Sequence, residues 1–210
     1  MDRKKRIPRT HREQLGKRRS ISKKRAKFTL NSLVVLLKES VVFLLLIGGC
    51  LVFSLRFGVH QVDGRSMFPT FQNGDRIVVT KNQQPQRYDI ITFEPAGKKN
   101  ESYIKRVMGV PGDTIVVEGT SIFLVSKKTE QTAITSTSDI PDGALKINVT
   151  KTVAAELADY SKIPEDCYFV EGDNRDHSTD SRAFGLVHSG QIEGIVNWRY
   201  FPFNKIGSVR

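Results

Sequence analysis

Y-I-K-R-V-M-G-V-P-G-D-T-I-V-V-E-G-T-S-I-F-L-V (103–125) decides how this chain is read. Its three runs rich in β-branched and aromatic residues, 103–108, 114–118 and 121–125, are cut by P-G-D (111–113) and E-G-T (118–120), and each break carries a glycine suited to a tight turn. Working outward, the same texture recurs in R-I-V-V-T (76–80), D-I-I-T-F (89–93), Y-F-V (168–170) and I-V-N-W-R-Y-F (195–201), with N-G-D (73–75) as a further turn. Seven such runs after residue 59 predict an all-β body. Segment 126–160, rich in Lys, Thr and Ser with P-D-G in its middle, lacks the pattern. It is expected to be a poorly ordered insertion, removable without touching the chemistry.

Upstream of the strands the composition changes. Residues 41–55 run V-V-F-L-L-L-I-G-G-C-L-V-F-S-L without a charge, preceded by L-V-V-L-L (33–37) and interrupted only by Lys38 and Glu39. A helix over 33–55 would cover about 34 Å at about 1.5 Å per residue, enough for a hydrocarbon core of about 30 Å. Residues 1–38 hold 14 Lys/Arg against 2 Asp/Glu, so the chain's net charge of +11 sits in this arm and the remainder, with 19 Lys/Arg and 20 Asp/Glu, is nearly neutral. The charge therefore signals topology and anionic lipid and not nucleic acid. The positive-inside rule puts the arm in the cytoplasm and everything after Val59 outside. After Leu55 comes R-F-G-V-H-Q-V-D, without a small-x-small cleavage site, which predicts an uncleaved signal anchor. The division expected is a basic cytoplasmic arm (1–32), a transmembrane anchor (33–57) and an extracytoplasmic β domain (58–210).

Metal and disulfide chemistry find no support. Cys50 lies in the apolar run and Cys167 in a strand, on opposite sides of the membrane boundary, and the four histidines have no ligand spacing. No metal and no cofactor are expected.

Three stretches carry candidate chemistry: V-D-G-R-S-M-F-P-T (62–70), Y-I-K-R-V-M-G-V-P-G-D (103–113) and E-G-D-N-R-D-H-S-T-D-S-R-A-F-G-L-V (171–187). Ser66, taken alone, is a loop serine bracketed by the turn residues Gly64 and Pro69. Lys105, taken alone, is a strand lysine, protonated at neutral pH and useless as a base. Strand alternation sets Tyr103, Lys105 and Val107 on one face and Ile104, Arg106 and Met108 on the other, so an apolar wall beside Lys105 is geometrically available. Bringing a lysine from about 10.4 to about 8 takes roughly 3.3 kcal/mol of differential desolvation, within the range of buried lysines.

In this order, and with G-D-R-I-V-V (74–79), the motifs resemble the bacterial type I signal peptidases, in particular the Gram-positive members, across residues 62–187 and directly after a transmembrane helix. The resemblance implies an all-β catalytic domain of the signal peptidase and self-cleaving repressor kind behind a single membrane helix. It implies Ser66 as nucleophile at the membrane-proximal edge, Lys105 as general base, and Ser178 as the hydroxyl that orients the lysine amine. Gly64 occupies the position where some members use a serine for the oxyanion, leaving backbone donors, chiefly the Ser66 N–H, to that task. Val62, Met67, Phe71, Tyr103 and Ile104 are candidates for shallow pockets that admit small side chains, with the substrate strand pairing alongside 103–105. Asp173, Arg175, Asp180 and Arg182 are expected to form an ion-pair scaffold beneath the site, and Gly172 to allow close approach to the lysine. His177 stands where these enzymes usually carry Asn. Asp176, His177 and Ser178 are chain neighbours that point different ways, so they form no relay.

The partners so implied are secretory preproteins cut after A-x-A and the phospholipid membrane, with no nucleic acid. A soluble self-cleaving repressor shares the Ser-Lys logic but lacks an apolar run like 41–55. A penicillin-recognising S-x-x-K enzyme is excluded because Pro69 follows Ser66 at the third position. A non-catalytic peptide-binding β-domain would have no need of both Ser66 and Lys105.

Overall fold

The computed structural model describes residues 9–127 and 140–209, with side chains for Ser32 and from residue 34 onward. The chain divides into two units, residues 1–53 and 54–210. Helix α1, Arg9–Arg56, dominates the first. Within it Val34–Arg56 is 23 residues long, enough to cross a membrane by length and composition. Leu36, Phe43, Leu45 and Val52 are all more than half exposed, so this stretch presents apolar side chains all round. Such a surface belongs in lipid, where a helix satisfies its own backbone. The helix extends through much of the basic arm without a break at residue 33.

The second unit is β-rich, as the alternation predicts. Its strands are β1 (Phe57–Gln61), β2 (Arg76–Thr80), β3 (Ile90–Phe93), β4 (Tyr103–Gly109), β5 (Thr114–Glu118), β6 (Ser121–Val125), β7 (Leu145–Asn148), β8 (Cys167–Glu171), β9 (Val187–His188), β10 (Ile192–Phe201) and β11 (Gly207–Ser208). One sheet runs β1-β2-β10-β3-β4-β8-β9, with β11 added to β10, and β5-β6-β7 form a second. The β5–β6 hairpin closes through Gly119 at φ +61, the left-handed turn that E-G-T promised.

Residues 126–160 depart from the expected insertion. Strand β7 pairs with β6, and helix α2 (Lys151–Leu157) follows it, its first turn capped by the Thr150 hydroxyl accepting from the Val153 N–H at 3.3 Å. Val153, Ala154 and Leu157 sit on one helical face and are buried with Ile115, Ile122, Leu124 and Phe169. The Lys, Thr and Ser of the segment concealed a three-residue apolar stripe. Removing 126–160 would therefore open a core, and only residues 128–139 of the segment lie outside those described.

Strand β4 positions the chemistry. It pairs with β3 along its outer half, with Ile91 opposite Lys105 and Phe93 opposite Tyr103. On its other side β8 pairs only from Arg106 onward, so Tyr103–Lys105 keep a free edge. Ile104 joins Val62, Met67, Phe71, Ile77, Ile90 and Val196 in one cluster, while Val107 joins Phe93, Tyr168 and Val170 in another.

Candidate active site

The loop between β1 and β2 carries Ser66, and its path is held by backbone. Val62 N–H donates to Asp75 O and Gly74 N–H to Val62 O, each at 2.8 Å, which pins the loop's two ends together. Gly64 adopts φ +87, where a side chain would be strained, and its N–H donates to Asn73 Oδ1 at 2.8 Å. Gly64 thus serves the turn, and its N–H is not available to an oxyanion. The Ser66 N–H has no acceptor among the described residues, whereas the Ser66 carbonyl accepts from the Asn174 N–H at 2.9 Å.

Lys105 is 4 % exposed, and its Nζ lies 3.0 Å from Ser66 Oγ while donating to Ile104 O at 3.0 Å. Ile91, wholly buried, is its neighbour across the strands, and the Tyr103 ring centroid is 5.3 Å from Nζ. Burial lowers the amine's pKa to about 8, against a smaller upward pull from Asp180. Val62, Met67, Tyr103 and Ile104 line a cleft of about 530 Å³ together with Ser66 and Lys105. Phe71 does not join them: it is fully buried beneath the Arg199 guanidinium, 5.7 Å from its ring, because its place in the loop turns it into the core.

The segment after β8 lies under Ser66. Asp180 caps helix α3 (Ser181–Phe184), accepts from Gly172 N–H at 3.0 Å, and takes two hydrogen bonds from the Arg182 guanidinium at 2.8 and 2.9 Å. Burial alone would raise the Asp180 carboxyl, but Arg182 and these donors outweigh it and hold it below the usual carboxylate range. Glu171, 3 % exposed, completes the cluster between Arg175 and Arg182, and its burial wins, pushing its carboxyl upward.

Asp173 is not part of this cluster, contrary to expectation. It accepts from Arg106 Nε and Nη2, both at 2.8 Å, and from the Thr70 hydroxyl, because Arg106 reaches it from the face of β4 opposite Lys105. Desolvation acts against the Asp173 charge, and Arg106 with Thr70 overcomes it. Arg199 anchors the same loop from another side, donating to Thr70 O and Asp75 Oδ2 at 3.0 Å. Arg106, Glu171, Thr70 and Arg199 escaped sequence reasoning. The one signal available was Arg106's opposite parity to Lys105.

At Gly172 a Cβ would stand 2.2 Å from Ser178 Oγ and 2.5 Å from the Ser66 carbonyl oxygen, so the absent side chain makes room for these two. Ser178 Oγ is buried near Asp180 without a hydrogen-bond partner, and Lys105 is held instead by Ile104 O and Ser66. Its hydroxyl nevertheless lies close enough to help hold the Asp180 charge. His177 is exposed at the cleft's rim.

Comparison with known proteins gives the family of this chain. A signal peptidase I of Bacillus caldolyticus is 37 % identical over 164 residues, covering 74 % of this chain and 87 % of the relative. A signal peptidase IB of Staphylococcus aureus strain Mu50 is 32 % identical over 165 residues, covering 70 % and 78 %. A crystal structure of a signal peptidase I from Enterococcus faecalis V583 aligns with 54 % of this chain and 97 % of its own, at 26 % identity and a TM-score of 0.34. The sequence model described as signal peptidase, peptidase S26, matches residues 33–201, taking in the apolar stretch Val34–Arg56, the loop that carries Ser66 and the strand that carries Lys105. This chain belongs to the signal peptidase family, with its likeness among the type I enzymes of Gram-positive bacteria.

Proposed function

We propose that this chain is a membrane-anchored endopeptidase that removes signal peptides from secretory preproteins, cutting after A-x-A through a Ser66–Lys105 dyad. The observation that carries the reading is an amine 3.0 Å from a hydroxyl, kept from water so that its pKa falls to about 8. Neutral Lys105 takes the Ser66 Oγ proton as Oγ bonds to the scissile carbonyl carbon. The Ser66 N–H faces the oxyanion. As the C–N bond breaks, the Lys105 ammonium returns its proton to the leaving amine, and the acyl-enzyme is then hydrolysed by water with Lys105 again as base. Ser178, whose buried Oγ lies beside Asp180, is suited to receive the amine when it turns from Ser66 during this cycle.

An extended substrate adds to the free edge at Tyr103–Lys105, and the shallow cleft beside Val62, Met67 and Ile104 favours alanine-sized side chains. The α1 stretch Val34–Arg56 holds the enzyme in the plasma membrane, with the basic arm cytoplasmic and the β domain outside. The test is purified full-length protein in neutral detergent with a preprotein ending in A-x-A. Wild type cleaves at that bond with a rate that rises as pH climbs through about 8, since only the deprotonated amine is a base. Ser66→Ala and Lys105→Ala do not. Cleavage surviving in either variant, or a rate that follows ordinary histidine titration, refutes the dyad.

A further inference from the structure

The substrate that the proposed reaction cuts has two ends, and the active-site cleft accounts for only one. An acyl-side strand paired to the free edge of β4 fills the slot between residues 62–64 and 103–105. Beyond Ser66 lies a second hollow of about 410 Å³, lined by Phe68, Phe71, Gln72, Asn73 and Asn174. Among the described residues only Arg65 and His177 line both hollows. A chain leaving the acyl slot past Ser66 therefore crosses these two side chains to enter the second hollow.

The polar groups there are unequally committed. Asn73 Oδ1 accepts from Gly64, Gln72 Oε1 accepts from Lys205, and Asn174 Nδ2 donates to the Arg65 carbonyl. The Arg65 guanidinium and the His177 imidazole are exposed and make no side-chain hydrogen bond or ion pair with any described residue. Among the described residues no carboxylate lines the second hollow, whereas Asp63 and Glu101 both line the first. Carboxylates therefore line the cleft only toward its acyl end, among the described residues, and its far end is rich in donors.

We infer that the second hollow receives the first residues after the scissile bond, and that Arg65 with His177 makes the enzyme favour an acidic side chain there and disfavour a basic one. This rests on the proposed cleavage reaction and concerns its specificity. Arg65 is set for it by the loop: its carbonyl accepts from Phe68 N–H and Asn174 Nδ2, which fixes its backbone and leaves its side chain pointing across the rim. An exposed ion pair is worth little singly, so the expected discrimination is modest, about fivefold in kcat/KM.

The experiment uses one preprotein in three forms that differ only in Glu, Gln or Lys at the second residue after the cleavage point, with the full-length enzyme in neutral detergent. Wild type is expected to cut in the order Glu, Gln, Lys, with about fivefold between the extremes. Arg65→Glu reverses the order, and Arg65→Gln and His177→Gln each narrow it. The ratio among substrates is read within each variant, so a general loss of fold or activity does not mimic the result. A ratio that stays the same in Arg65→Glu overturns the inference while leaving the dyad standing. Failure of wild type to cut any of the three forms overturns the proposed reaction itself. An effect of Arg65→Glu seen only in anionic vesicles, with the substrate ratio unmoved in detergent, assigns the basic pair to lipid headgroups and also overturns it.

Discussion

Lys105 and Arg106 are successive residues of β4, and each is largely withdrawn from solvent, at 4 % for the lysine residue and 16 % for the arginine side chain. Lys105 turns toward Ile91 and Tyr103, and burial brings its pKa down to about 8. Arg106 turns toward Asp173, whose bidentate hydrogen bonds raise its pKa despite the opposing effect of burial. The difference teaches that burial by itself does not set the charge state of a cation: a committed carboxylate does. Asp180 acts on Lys105 too, but its oxygens already serve Arg182 and the Gly172 N–H, so its pull loses to desolvation. One strand thereby supplies an amine of lowered pKa to its free edge and a structural tie to the loop that carries Ser66.

The harshest way to break the contrast is to give position 105 the chemistry of position 106. Lys105→Arg keeps charge and reach but cannot surrender its proton, and cleavage is expected to fall by about 10³-fold or more at every accessible pH. Single-turnover cleavage near the wild-type rate would show that the amine is not the base.

Removing the tie is next. Arg106→Ala leaves Asp173 buried without its guanidinium, and urea unfolding should register a loss of about 3 kcal/mol. Activity falls with it because Thr70 and the Ser66 loop lose their anchor, yet the pH at which activity rises stays put. A shifted midpoint would mean that the two faces of β4 are electrically coupled. The pair Arg106→Met with Asp173→Leu should recover much of the stability.

Lys105 itself weakens the fold, and the sign follows from its titration. Its folded pKa of about 8 lies below the ordinary 10.5, so its contribution to stability is whole above 10.5, declines as pH falls through that window, and stays lost below about 8. Lys105→Met should therefore be more stable than wild type at neutral pH, by about 2 kcal/mol, while inactive. The gain should disappear as pH climbs above 10.5, which denaturant curves at two pH values can measure.

The mildest change sharpens the comparison instead of breaking it. Ile91→Thr adds a hydroxyl beside the amine and should move the midpoint of the activity profile up by about half a pH unit. A midpoint moving downward would exclude desolvation as the cause.

Much of the β body was legible because half-buried strands announce themselves locally. Runs 76–80, 114–118 and 121–125 coincide with β2, β5 and β6, and four more lie within a few residues of β3, β4, β8 and β10. Strands β9 and β11, two residues each, are too short to carry a period. Strand β1 reads as the tail of the apolar segment, and β7 with α2 hid within polar residues until Val153, Ala154 and Leu157 met a core. Ser66 and Lys105 were nominated by the ordered motifs, but Asp173 was assigned to the wrong partners. Phe71 was sent to the cleft instead of beneath Arg199, since parity tells which way a strand residue faces and says nothing for a loop residue.

By itself the sequence determined what local chemistry can dictate: a helix apolar enough for a bilayer, a series of strands, and the opposed directions of two adjacent cations. The tertiary structure decided which cation gives up its proton more readily. That choice turns on groups distant in the chain, 39 residues between Ser66 and Lys105 and 67 between Arg106 and Asp173. Desolvation and ion pairing act over a few ångströms of space, and only the folded chain sets those distances.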